Sequence, residues 1–261
     1  MSAGAQSTIS GLSRPAAAAP WRTASDPLLG ATEVHRALCI PPQMQIAGWE
    51  IATRILPHRG ISGDFVIRVE RPGGTLVVIG DLMGKGLSAA MWLTHIIDLL
   101  RRAAEPFDSL PGILARLNAE VHASRVGAPL TSLCAIDLPH ASKRMTVAVA
   151  GHPPAFLLSA AGNLRLLNDG GPLLGALPSA AYQAAEIEIC PGDSFVAFSD
   201  GLIEFRNEEG GEFGCDGIVG CLRRRRGSSA YAIADGLLAC ARTFARREPC
   251  DDATVLVIQR P

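Results

Sequence analysis

From residue 43 to the C-terminus, apolar side chains come in short runs, alternating or continuous, broken by Gly, Pro and Asp. These runs predict strands over Gln45–Leu56, Asp64–Glu70, Thr75–Gly80, Ser132–Leu138, Met145–Ala150, Ala155–Leu158, Leu164–Leu167, Ala185–Ile189, Ser194–Phe198 and Thr254–Gln259. Longer periods interrupt them. Leu87–Arg102 is apolar almost all round and predicts a helix laid on a sheet. Leu110, Ile113, Leu114, Leu117 and Val121 follow the helical period behind Ser109 or Asp108 as N-cap, with Pro111 early. Ile233, Leu237, Ala241 and Phe244 mark a late helix. About ten strands, with two helices inserted after the third and more near the end, predict an α+β fold: two antiparallel sheets packed face to face with helices outside.

Residues 1–26 carry no such period. They are rich in Ala, Ser, Gly and Pro and read as a flexible tail. In residues 27–42, Leu28, Leu29, Val34 and Leu38 predict a short helix stopped by Pro41 and Pro42, with an apolar face too narrow to fold alone.

Composition narrows the function classes. The 261 residues are 48% hydrophobic and 19% charged, enough apolar mass for a core. Lys and Arg number 24 against 25 Asp and Glu, a balance that points to neither nucleic acid nor an anionic membrane. No apolar run reaches the ~20 residues of a membrane span, and no basic start with an apolar core marks a secretory signal. The seven cysteines include no CxxC and no His at zinc spacing, so they read as small core residues in a reducing cytosol.

The chemistry lies in the acids. Arg71-Pro72-Gly73-Gly74 is a turn between two strand-forming runs. Centring the hairpin between Pro72 and Gly73 places Asp64 opposite Asp81 at its open end, with Cβ atoms about 5 Å apart. Facing carboxylates repel unless one is protonated or a cation sits between them; the alternative is one Asp in a turn or cap and the other in solvent. Asp200 follows one predicted strand and Asp251-Asp252 precede another. If those strands are antiparallel neighbours, their acids meet at one sheet edge. Should that edge adjoin the hairpin's open end, four carboxylates converge without His or Cys. All-oxygen ligation selects Mg²⁺ or Mn²⁺ over zinc, and two such ions can activate a water for attack on phosphorus.

Other motifs fall short. Gly80-Asp81-Leu82-Met83-Gly84-Lys85-Gly86 has the wrong spacing for a phosphate loop and no Ser or Thr after the Lys. Neither HExxH nor Gly-x-Ser-x-Gly occurs. Gly151-His152-Pro153-Pro154 reads as a rigid turn, and Arg223–Arg226 as a solvated helix end.

Taken in order, the motifs resemble the bacterial SpoIIE/RsbU-like branch of the metal-dependent (PPM, type 2C) protein serine/threonine phosphatases. They are Ile40-Pro41-Pro42, Ser62-Gly63-Asp64-Phe65, Gly80–Ala90, Ala150–Pro154, Gly171–Gly175, Pro191-Gly192-Asp193, Phe198–Glu204 and Asp251–Thr254. The resemblance implies a PPM phosphatase-like αββα sandwich over 43–261 and hydrolysis of phosphoserine or phosphothreonine, by a water activated between two Mn²⁺ or Mg²⁺ ions. It implies that Asp81 bridges the ions, that Asp64 and the Leu82 carbonyl complete one, and that Asp200 and Asp251 complete the other. Asp252 matches a neighbour that is not usually a ligand. The implied substrate is a phosphorylated STAS-type anti-anti-sigma factor in a cytoplasmic partner-switching circuit. A protein activator and a homodimer are both compatible with it. Two departures stand out: Ile67 replaces a second Asp, and Met83 stands where eukaryotic relatives place a general-acid His. Lys85 is expected in solvent or on phosphate. The alternative is a non-catalytic module that keeps the fold and sequesters a partner, favoured by Ile67 and opposed by the four acids.

Overall fold

The computed structural model describes residues 27–58, 60–84, 86–104, 109–124, 127–246 and 249–260. The expected N-terminal tail, Lys85 and Asp108 lie outside the described residues, as do the side chains of Leu28 and Leu29.

Helix α1 (Pro27–Leu38) leads into two hairpins, β1 (Gln43–Ile46) with β2 (Trp49–Leu56) and β3 (Asp64–Arg71) with β4 (Gly74–Leu82). Helices α2 (Leu87–Ala104) and α3 (Leu110–His122) follow. Then come β5 (Thr131–Pro139), β6 (Arg144–Ala150), β7 (Ala155–Leu158), β8 (Leu164–Leu167), β9 (Gly170–Gly171), β10 (Ala184–Glu188) and β11 (Ser194–Phe198). The chain closes through α4 (Asp200–Ile203), α5 (Gly214–Arg224), α6 (Ala230–Ala245) and β12 (Ala253–Gln259). One sheet runs β1-β2-β12-β11-β7-β8 and is antiparallel throughout. The other runs β10-β6-β5-β4-β3, with β9 paired parallel to β6.

The α+β sandwich matches the expectation, and the alternation of side chains explains it. Even positions of β3 and odd positions of β4, such as Val66, Val77 and Ile79, meet Ile51, Phe195, Ala197 and Leu256 from the other sheet. Their neighbours Phe65, Ile67, Leu76 and Val78 face the opposite way, onto α2 and α3. Val196, Phe198, Val255 and Val257 likewise face α5 and α6. Strands β3, β4, β11 and β12 are therefore apolar on both faces, which is why their signals read as continuous runs. Each large side chain so buried contributes roughly 1.5–3 kcal/mol.

Three expectations are corrected. Gln45–Leu56 is not one strand but a hairpin, turning at Ala47 (φ 47°) and Gly48 (φ 83°). Two successive left-handed residues are what a two-residue hairpin turn of matching twist demands. Val34 is 49% exposed and so does not belong to a docked apolar face of α1; Leu38 packs on the core, and among the helix's described side chains the buried one is His35. The cysteines are all free, but only Cys134 and Cys221 are buried, while Cys190, Cys215 and Cys250 are exposed. Among the described residues no helix is long and apolar enough to cross a membrane.

Candidate functional site

At one end of the sandwich the inner face of both sheets changes from apolar to polar. In β3 and β4 the inner row passes from Val66 and Ile79 to Asp64 and Asp81, which are direct register partners. Asp81 is in turn opposite Ser132 of β5. On the other sheet, β11 and β12 pair antiparallel, and the inner row passes from Ala197 to Ser199 and from Leu256 to Thr254 and Asp252. The apolar rows bring the sheets together, and their polar ends are carried to one place.

Asp64 is 1% exposed and lies between the sheets. Its Oδ2 accepts a 2.6 Å hydrogen bond from Ser199 Oγ, which itself accepts from the Thr254 N–H at 2.9 Å. Its backbone carbonyl lies 2.9 Å from His35 Nε2, which ties α1 to the first acid of the site. Burial, and then the charge of Asp81, holds the Asp64 carboxyl well above the usual carboxylate range, against the pull of the Ser199 hydrogen bond. Without a cation beside it, this acid is held toward its neutral form.

Asp81 of β4 and Asp200, the first residue of α4 just beyond β11, line one cavity of about 450 Å³ together with Met83, Ser132, Gly151 and His152. Asp200 is exposed, and its Oδ1 accepts from the Gly201 N–H at 2.8 Å. Asp251 is half-buried and its Oδ1 accepts from the Asp252 N–H at 2.7 Å. Both acids lie in electrostatic reach of Glu204: burial and then the charges of Asp200 and Asp251 raise its carboxyl. Asp252 points elsewhere. It is 3% exposed, and its two carboxylate oxygens accept from the backbone N–H groups of His58 at 2.7 Å and Gly63 at 2.8 Å. It is a brace for the β2–β3 connection.

Gly63 explains why the loop needs that brace. A Cβ there would lie 2.8 Å from the Leu82 carbonyl oxygen, 2.9 Å from Asp81 Oδ1 and 2.9 Å from the Gly84 carbonyl oxygen. Three oxygens from one short stretch thus crowd a position that only glycine leaves open. Among the described residues no three His, Cys, Asp or Glu side chains stand close enough to form a metal cage by themselves. The local donor set is a carboxylate with backbone carbonyls. Such all-oxygen surroundings fit a hard cation that keeps part of its water, and do not fit zinc.

Of the sequence-derived site residues, the fold pairs Asp64 with Asp81, sets the Leu82 carbonyl beside them, and brings Asp200 to the cavity of Asp81 with Asp251 near. Ser132, Ser199 and His35 were not among those residues. Ser132 becomes visible only once β5 is known to pair with β4, and no local pattern marks that. The sequence places His152 in a rigid turn; it does follow Gly151, at φ 63°, but its ring is buried at the cavity. Its Nδ1 lies 3.1 Å from Ser132 Oγ, and its Nε2 has no hydrogen-bond partner among the described residues. Burial lowers this imidazole to about 3, so it is neutral. Ile67 sits three residues after Asp64 and so on the opposite face of β3, packed in the core against the helices. Met83 is 62% exposed at the rim.

Comparison with known proteins bears on this arrangement. The family model described as Stage II sporulation protein E (SpoIIE) matches residues 71–261. That span includes Asp81, Asp200 and Asp251 and begins after Asp64. Protein IcfG of Synechocystis is 25% identical over 191 residues, covering 61% of this chain and 30% of its own length. Phosphoserine phosphatase RsbU of Bacillus subtilis is 26% identical over 181 residues, covering 69% of this chain and 54% of its own. The chain thus spans about a third to a half of these curated relatives. Among solved structures, the PP2C domain of SiaA from Pseudomonas aeruginosa superposes with a TM-score of 0.75 at 18% identity, over 89% of this chain and 95% of that one.

Proposed function

Because the chain belongs to the SpoIIE family, we propose that it is a metal-dependent protein phosphatase that hydrolyses phosphoserine or phosphothreonine on a small regulatory protein. The observation that carries this reading is the convergence on one cavity of Asp81, from β4, and Asp200, from the start of α4 beyond β11 of the other sheet. Residues 43–261 form the catalytic domain and 27–42 an attached helix. In this reading Asp64, Asp81 and the Leu82 carbonyl hold one Mn²⁺ or Mg²⁺, while Asp81, Asp200 and Asp251 hold a second. Bound there, the ions supply positive charge for the phosphoryl oxygens and a water acidified enough to attack phosphorus.

The chain's own part is positioning. Ser199 fixes the orientation of Asp64 through its Oδ2, beside the register partner Asp81. The paired acids draw a divalent cation, because each carboxylate is destabilised by the other until one arrives. Ser132 sits in the same row as Asp81, with its hydroxyl against the neutral His152 ring, and offers a hydrogen-bonding group at the cavity wall. Met83 at the rim carries no proton to give, so the departing serine or threonine oxygen takes its proton from solvent. The cavity, at about 450 Å³, has room for a phosphorylated side chain presented by a folded partner. A STAS-type phosphoprotein in a cytoplasmic partner-switching circuit fits that description. Ile67 does not favour the non-catalytic alternative, since its side chain faces the helices and not the acids.

The test is turnover of p-nitrophenyl phosphate and of a phosphoserine protein before and after chelation. Activity is expected to vanish in EDTA and return with Mn²⁺. Full activity after exhaustive chelation would overturn the metal-dependent reading.

A further inference from the structure

A second reactive cluster lies on the outer face of the first sheet, in a cavity of about 640 Å³ that shares no residue with the acid site. There Cys221 of α5 and Cys240 of α6 bring their sulfur atoms to 2.9 Å, both as free thiols. A disulfide needs about 2.05 Å, so the sulfurs have roughly 0.9 Å left to close. Arg225 Nη1 lies 3.3 Å from Cys221 Sγ and 3.7 Å from Cys240 Sγ, and Arg224 Nη2 lies 3.6 Å from Cys240 Sγ. These contacts correct the reading of Arg223–Arg226 as a merely solvated helix end. Arg223 is exposed, but Arg224 and Arg225 reach the sulfurs and Arg226 donates to the Ala161 carbonyl at 3.2 Å. Arg225 reaches them because residue 236 is glycine: a Cβ there would lie 1.5 Å from Arg225 Nε.

We propose that Cys240 and Cys221 form a hydroperoxide-reactive dithiol, in which Cys240 is the attacking sulfur and Cys221 resolves it into a disulfide joining α5 to α6. The two thiols differ in the way such a pair requires. Cys240 is half-exposed and lines the open cavity, where a small peroxide reaches it. Cys221 is buried behind it and donates its S–H toward Cys240. Burial alone would raise Cys240, but the Cys221 S–H and the Arg224 and Arg225 guanidiniums bring it below the ordinary thiol value. Burial and the Cys240 neighbour push Cys221 up to about 12. Cys240, the sulfur that lines the cavity beside both guanidiniums, is therefore the nucleophile, in cationic surroundings that favour a thiolate.

The chemistry balances with a hydroperoxide as the only co-reactant. The Cys240 thiolate attacks one peroxide oxygen, the O–O bond breaks, and hydroxide leaves, giving a sulfenic acid. The Cys221 sulfur then attacks the Cys240 sulfur, the S–O bond breaks, and the Cys221 proton departs with the hydroxyl as water. Two sulfurs are oxidised by two electrons in all, and the peroxide is reduced to water and hydroxide.

The experiment uses the full chain with one equivalent of hydrogen peroxide, followed by alkylation, thiol counting and peptide mapping. Two of the seven thiols are expected to disappear, with a cross-linked peptide pair carrying Cys221 and Cys240. Cys240 is expected to react at least about tenfold faster than Cys190, Cys215 and Cys250, because rate follows thiolate fraction and access. Cys221→Ser should stop the reaction at a dimedone-trappable sulfenic acid on Cys240, and Cys240→Ser should leave Cys221 unreactive. The competition among thiols in the unaltered protein is decisive even if a variant fails to fold. Oxidation of any exposed cysteine ahead of Cys240 would overturn the proposal. So would over-oxidation of Cys240 with Cys221 still free, or loss of the Cys221 thiol in Cys240→Ser at the original rate.

Discussion

Asp64 with Asp81, and Asp200 with Asp251, carry the same charges in opposite surroundings. The first pair closes a hairpin whose register forces two carboxylates face to face, one of them 1% exposed between the sheets. The second pair sits at the mouth, with Asp200 exposed and each acid held by a local backbone N–H. The inner pair is held against its own repulsion by the apolar rows on either side of it. The outer pair hangs from the segments that flank β11 and β12 and is held by those local N–H groups. A site built this way has a rigid, charge-stressed floor and an adjustable rim, and the two should respond differently to mutation.

The sharpest break comes at the floor. Asp81→Asn is expected to lower turnover by on the order of 10³-fold or more, while the metal-free melting temperature stays level or rises, since a facing charge is removed. A melting temperature that falls steeply would remove the charge-stress argument. At the rim, Asp200→Asn and Asp251→Asn should each cost at least about 10²-fold in turnover, ~2.7 kcal/mol, with melting unchanged and a higher Mn²⁺ concentration needed for half-activity.

Asp252→Asn separates brace from ligand. It leaves one of the two backbone N–H groups without its acceptor, so it should destabilise the fold by roughly 1–3 kcal/mol in denaturant titration. Turnover per folded molecule should change less than in Asp251→Asn; the reverse ranking would exchange the two roles. Removing residues 27–40 takes away His35 and its contact to the Asp64 carbonyl. Turnover on the phosphoprotein is expected to shift several-fold with circular dichroism intact, and unchanged kinetics would leave α1 as plain packing.

The last test is a pH slope. His152 is buried neutral, with its value lowered from 6.5 to about 3. Between those values the unfolded chain binds a proton that the folded one does not. Its contribution to stability is complete above about 6.5 and is lost as pH falls below it. The expected slope is about 1.4 kcal/mol per pH unit for one proton. His152→Gln should reduce the measured slope by that one proton, leaving the separate contribution of His35, whose value burial also lowers. An identical acid limb in the variant would mean that His152 is protonated in the fold.

How much of this was legible in the residues differs between the same two regions. The Pro72–Gly73 turn and the flanking runs suffice to place Asp64 opposite Asp81, because hairpin register is a local property of turn and strand. The same reasoning erred at Gln45–Leu56, where Ala47 had to be accepted in a left-handed conformation that alanine seldom adopts. For Asp200 and Asp251 the sequence supplied only the condition that their strands be neighbours.

Chain order alone determined the alternation of apolar positions, the hairpin and its acid pair, helices α1, α2, α3 and α6, and the family-specific order of motifs. Tertiary structure alone decided that β12 inserts between β2 and β11, that Ser132 joins the row of Asp81, and that Ser199 reaches Asp64 from the other sheet. It also decided that Asp252 turns inward while Asp251 does not. The division has a physical cause. Local pattern is written in residue spacing, whereas contacts between distant strands depend on which apolar faces close over one another, and many sequences with the same spacing could close differently.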